Sequence, residues 1–108
     1  MLHLELQHGV LYVDNVKFCY YEVSANDGRK DLPKGTYVAE ARYAHSFGKV
    51  LPHIESIGWA GADAGCQIIL GRVRAKSGLI PDGYIVQVLI SAIEAASDLG
   101  DQVLAEVR

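Results

Sequence analysis

The sequence predicts an α+β fold: a mostly antiparallel curled sheet or small barrel of six to seven strands with one packed C-terminal helix. It is read as a single domain over residues 1–108. Three observations predict this. Most of the chain divides into segments of strand period or short apolar runs; the strong helix-start signal, Ser91-Ala92-Ile93-Glu94, comes late; and strands do not alternate with helices as a parallel sheet requires. At 108 residues and 50% hydrophobic content, the chain has the size of one ordinary domain and can bury roughly two thirds of its unfolded surface.

Leu2, Leu4 and Leu6 alternate with His3, Glu5 and Gln7, the period of a half-buried strand, and His8-Gly9 turns the chain into Val10-Leu11-Tyr12-Val13. Asp14-Asn15 is a second tight turn, after which Val16, Phe18 and Tyr20 face one way and Lys17, Cys19 and Tyr21 the other, continuing to Val23. Cys19 thus reads as a packed strand residue. Ser24 to Lys34 is a polar connection closed by a turn at Pro33-Lys34-Gly35, and Thr36 to Tyr43 is a strand with Tyr37, Ala39, Ala41 and Tyr43 on one face. Ala44 to Pro52 reads as irregular, because Ser46, Gly48 and Pro52 interrupt any period.

After Ile54 and Ile57 comes the glycine-rich stretch Gly58-Trp59-Ala60-Gly61-Ala62-Asp63-Ala64, leading into Gly65-Cys66. Cys66 to Leu70 has the length and composition of a central strand buried on both faces. Arg72 to Gly83 reads as a surface connection with bends at Ser77-Gly78 and Pro81-Asp82-Gly83, followed by a strand over Tyr84 to Ile90. Ser91 and Glu94 fit the capping-box pattern, so a helix is expected to begin there, with Ile93, Ala96 and Leu99 on its apolar face. If Gly100 ends it, Gln102 to Val107 returns as a strand.

A formal net charge of −3 argues against general nucleic-acid binding, which needs clustered cations to displace counterions. The local exception is Arg72-Val73-Arg74-Ala75-Lys76, whose alternate cations share one side of an extended segment and suit a carboxylate or phosphate, or blunt a sheet edge. The start, Met1-Leu2-His3-Leu4-Glu5-Leu6, lacks the pattern of a signal peptide, and no apolar run approaches the about 20 residues of a membrane span. A soluble, cytoplasmic protein without membrane association is expected. Cys19 and Cys66 are too few for a disulfide scaffold.

A thiol at the point where a glycine-rich loop becomes a strand is one place for a nucleophile, since small-residue backbone N–H groups can stabilise a thiolate and an oxyanion. Cys66 is therefore the candidate nucleophile and His53 its candidate base, His45 lying on the same approach. Trp59, Gly65, Arg72 and Arg74 are the candidate ligand-binding residues of a pocket beside it. The glycine spacing matches neither a phosphate loop nor a dinucleotide turn, and no Cys or His pair has metal-site spacing, so no cofactor and no metal are expected.

Leu32-Pro33-Lys34-Gly35-Thr36-Tyr37, Ser46-Phe47-Gly48-Lys49-Val50-Leu51-Pro52, Gly65-Cys66-Gln67-Ile68-Ile69-Leu70-Gly71 and the late Ser91 resemble a small bacterial and phage domain family of unknown function, over about Val16 to Leu99. The Gly-Cys strand is also similar to the nucleophile segment of L,D-transpeptidases, mainly β enzymes that cross-link peptidoglycan. That resemblance implies a nucleophile at Cys66. The histidine that precedes the cysteine in those enzymes has no counterpart in Ile57-Gly58-Trp59-Ala60-Gly61-Ala62-Asp63. The expectation is a non-catalytic module of bacterial, phage or mobile-element origin that binds a small molecule, peptide or protein. The alternative is a cysteine acyl transferase or hydrolase acting on a peptide or cell-wall substrate. Tyr12, Tyr20, Tyr21, Tyr37 and Tyr43 leave a homodimer open.

Overall fold

The computed structural model describes residues 2–24, 32–56 and 66–108. In chain order the elements are β1 (His3–Gln7), β2 (Val10–Val13), β3 (Val16–Ser24), β4 (Gly35–Ala44), β5 (Lys49–Ser56), β6 (Cys66–Gly71), β7 (Val73–Ala75), β8 (Gly78–Ile80), α1 (Gly83–Asp98) and β9 (Val103–Val107). Seven strands close a barrel in the order β1-β2-β3-β6-β5-β4-β9, and β7-β8 form a separate two-stranded flap. The α+β expectation of a small barrel with one helix holds. The barrel is mixed, because β9 lies parallel to β1 while every other pair is antiparallel.

Local chemistry sets the first three strands. His8 and Gly9 have φ of 50° and 80°, and Asp14 and Asn15 have 48° and 70°. Positive φ at both central residues is what two-residue hairpins of type I′ require, and Gly, Asn and Asp accept it most readily. Asp14 also closes the far end of β1: its Oδ1 accepts from the His3 N–H at 3.0 Å and its own N–H donates to the His3 carbonyl at 2.9 Å.

The stretch read as irregular, Ala44 to Pro52, is instead a hairpin. β4 runs on through Ala44, the Ala44 carbonyl accepts from the Phe47 and Gly48 N–H groups at 3.0 and 2.8 Å, and Gly48 at φ 66° lets a four-residue loop return the chain into β5. Pro52 sits inside β5 opposite Ala41, while on its other side the β5–β6 ladder comprises only His53↔Gln67 and Ile54↔Cys66. A proline has no N–H to offer a second neighbour, so that ladder stops there.

The strand expected over Tyr84 to Ile90 is the first half of α1, and the helix does not begin at Ser91. Asp82 is the N-cap, in an extended conformation with its Oδ1 accepting from Tyr84 N (3.0 Å) and Ile85 N (3.2 Å). The β-branched composition of this run favours a strand, yet Ile85, Val86, Leu89, Ile90, Ile93 and Ala96 are buried at helical spacing. Burial of that stripe against β4, β5, β6 and β9 overrides propensity. Gly100 at φ 81° ends the helix in a Schellman arrangement, its N–H bonding the Ser97 carbonyl and the Asp101 N–H that of Ala96. β9 follows, as the sequence allows.

The connection read as Arg72 to Gly83 contains the β7–β8 flap, which is tied to β3. The Leu79 N–H donates to Glu22 Oε1 at 2.9 Å, and Arg74 Nη2 donates to the carbonyls of Tyr21 (3.2 Å) and Gly9 (3.4 Å). The flap comes close enough to β6 that a Cβ at Gly71 would stand 2.1 Å from the Ile80 carbonyl oxygen. Leu4, Leu6, Leu11, Cys19, Val23, Ile54, Cys66, Ile68, Leu70 and Ala105 belong to one buried cluster that α1 extends with Leu89, Ile90 and Ile93. Burial pushes the Cys19 thiol up to about 12, which fits its reading as a packed strand residue.

Candidate functional site

Cys66 opens β6 with 1% of its surface exposed, packed in the cluster with Ile54 and Ile68. Residues opposite one another in an antiparallel ladder share a face and successive residues alternate. Ile54↔Cys66 and His53↔Gln67 therefore put the thiol and the imidazole on opposite faces of the β5–β6 pair. The structure does not bring the expected nucleophile and base together. His45 stands exposed in the β4–β5 turn, its ring edge-on to Tyr43 at 4.9 Å.

His53 has a different setting. It is 7% exposed, its Nε2 lies 3.4 Å from Arg42 Nη1, and its buried Nδ1 has no hydrogen-bond partner among the described residues. An arginine only donates, so Nε2 accepts and the ring proton resides on Nδ1. Arg42 also pairs with Glu40 at 2.6 Å and Glu55 at 3.5 Å. Burial holds the His53 pKa below its ordinary value, the Arg42 cation lowers it further, and Glu55 and Glu40 oppose both. A ring so placed is neutral at neutral pH and has its basic nitrogen turned to a guanidinium.

Arg72 and Arg74 serve the flap. Arg72 Nε bonds Asp82 Oδ2 at 2.7 Å, and this bond, with the Ile85 N–H, holds the Asp82 carboxyl below its usual range. Arg74 lies over the Tyr20 ring at 5.6 Å while it bonds the two carbonyls of the flap's clasp. A shallow notch formed by Arg72, Val73, Ile80, Pro81 and Asp82 lies beside them. Trp59 and Gly65 lie outside the described residues, so the pocket expected around them is not defined.

A larger groove of about 420 Å³ lies elsewhere, between β4, the C-terminal half of α1 and the segment leading into β9. Val38, Ala39, Ala41, Ile93 and Val103 are its apolar lining residues, and Glu40, Glu94 and Asp101 its acidic ones. Among the described residues no Lys, Arg or His lines it, and the last turn of α1, whose end carries partial negative charge, has no basic residue. Among the described residues Glu94 and Asp101 make no ion pair, whereas Glu40 is held by Arg42.

Sequence reasoning missed both this groove and the His53 cluster. The signal was present: Glu40 and Arg42 occupy alternate positions on β4, as do His53 and Glu55 on β5, and pairing the segments places them side by side. With Ala44 to Pro52 read as irregular, the sequence does not pair the two segments. Among the described residues no group of His, Cys, Asp and Glu is arranged to hold a metal ion, and no helix is long and apolar enough to cross a membrane. Compared with protein-family models, curated proteins and solved structures, the chain matches none, so its likeness to the Gly-Cys strand of L,D-transpeptidases rests on the residues quoted above alone.

Proposed function

We propose that the chain is a non-catalytic binding module whose ligand presents an ammonium or guanidinium group to the groove beside α1. The observation that carries this reading is the groove itself, lined by apolar residues and by Glu94 and Asp101, which make no ion pair among the described residues, while Glu40 is already held by Arg42. A flexible aliphatic stem with a charged end, as in a lysine side chain or a polyamine, matches that surface: its methylenes lie along the half-buried Val38 and Ala41 while its charge meets Glu94 and Asp101.

Titration calorimetry with a pentalysine peptide and, separately, with spermine at low salt tests the reading and distinguishes a peptide from a small amine. Exposed charge pairs contribute about 0.5 kcal/mol each, so the double variant Glu94→Gln/Asp101→Asn is expected to bind about fivefold more weakly. Glu106→Gln removes a carboxylate outside the groove and serves as the control. The reading is overturned if neither probe binds, or if Glu106→Gln weakens binding as much as the double variant.

A further inference from the structure

We infer that the buried His53 sets the affinity of this groove for its cation, and that a proton taken up by the imidazole weakens binding through Arg42 and Glu40. The inference rests on the groove reading above and adds to it a regulatory input that the groove residues alone do not supply.

Its basis is a continuous set of contacts from the interior to the groove. Glu40 lines the groove; its carboxylate is held at 2.6 Å by Arg42 Nη2; Arg42 Nη1 faces His53 Nε2 at 3.4 Å; and His53 stands directly across the β4–β5 ladder from Glu40. In the neutral ring Nε2 is an acceptor, so Arg42 lies between an imidazole lone pair and two carboxylates. A proton on Nε2 removes that acceptor and sets two cations against each other. The relief open to the pair is for the imidazolium to draw on Glu40 or Glu55, or for Arg42 to swing away from it. Either change places added positive charge beside Glu40, at the groove wall, and an incoming ammonium is repelled.

The surroundings leave this route open. β4 contributes Glu40 and Arg42, β5 itself contributes Glu55, and β6 carries no charged residue and offers the neutral Gln67 opposite the ring. The charged side chains of α1, Glu94 and Asp98, are exposed and do not bond to the imidazole. Among the described residues the buried Nδ1 has no acceptor, so none of them is already in place there to stabilise the cation. Proton and ligand binding are reciprocal, so a ligand that disfavours the proton is itself disfavoured by it to the same factor.

The test measures pentalysine and spermine affinity at pH 7.5, 6.5 and 5.5 for the wild type and His53→Gln, and follows the His53 ring resonances of the wild type by NMR with and without spermine. Coupled sites commonly interact by about fivefold or more. Wild-type affinity is expected to fall toward that factor on acidification, His53→Gln to stay nearly flat, and spermine to lower the His53 titration midpoint. The inference is overturned if the midpoint is the same with and without spermine, a readout that needs no variant, or if His53→Gln loses affinity as the wild type does. Binding at pH 7.5 with either of those results keeps the groove and removes the switch; no binding at pH 7.5 removes both.

Discussion

Gly71→Ala is expected to loosen the flap without dismantling the barrel. The new Cβ would stand 2.1 Å from the Ile80 carbonyl oxygen and 3.0 Å from the Ile80 carbonyl carbon, both backbone atoms that no rotamer change can withdraw. An unstrained carbon-to-oxygen contact needs roughly 1 Å more, so β8 must move outward relative to β6. Overpacking of this kind costs about 1–3 kcal/mol. The displaced strand carries the Leu79 N–H that donates to Glu22 Oε1 at 2.9 Å, so that bond is strained first. In a chain of 108 residues each kcal/mol lowers the melting midpoint by about 4 °C, giving an expected drop of about 4–12 °C. Urea denaturation of the wild type, Gly71→Ala, Glu22→Gln and the double variant completes a cycle. If the flap is the element displaced, the double variant loses less than the sum of the singles, because Gly71→Ala has already weakened what Glu22→Gln removes. A loss under about 0.5 kcal/mol, or strict additivity, refutes the argument that β8 is held against β6 by this close approach.

The remaining expectations concern the caps, the thiols and pH. Because folding lowers the His53 pKa, the unfolded chain binds more protons between the folded value and about 6.5. The His53 contribution is therefore fully present above pH 6.5 and lost as pH falls through the folded value, with a slope of at most about 1.4 kcal/mol per pH unit. Denaturation at stepped pH should show that slope in the wild type and its loss in His53→Gln. Asp82→Ala removes both N-terminal hydrogen bonds of α1 and the Arg72 partner, so it should lower the melting midpoint more than Asp82→Asn, whose amide oxygen still caps; equal losses would count against capping. Gly100→Ala places a side chain at φ 81° and should cost about 1 kcal/mol by urea denaturation, an unchanged midpoint being the contrary result. Both thiols should resist iodoacetamide at pH 8 in the folded protein and react once it is unfolded. Fast labelling of Cys66 would support its reading as a nucleophile.

How far the sequence could be read depended on whether local chemistry decided the outcome. His8-Gly9 and Asp14-Asn15 mark their turns because the backbone there needs positive φ, a requirement visible one residue at a time. The alternation of Leu2, Leu4 and Leu6 is legible for the same reason. Tyr84 to Ile90 was not, because its residues individually favour strands and only the packing of Ile85, Leu89 and Ile93 against the barrel decides for a helix. Pro52 misled in the opposite sense: it interrupts a pattern in one dimension, yet it spoils only one of the two ladders its strand can form. Cys66 and His53 lie on opposite faces by a parity that follows from pairing register, which spacing along the chain does not reveal. The cluster around Arg42 depends on that same register.

The seam of the barrel carries a temporal consequence. β9 lies between β1 and β4, binding the first strand to the fourth with residues made well after both. Until those residues emerge, the nascent chain holds two raw ladders, that of β1 and that of β4, each a template for another molecule's backbone. Contacts so distant along the chain also form slowly. Truncation before Val103 is therefore expected to yield sticky, self-associating material in place of a smaller soluble fold.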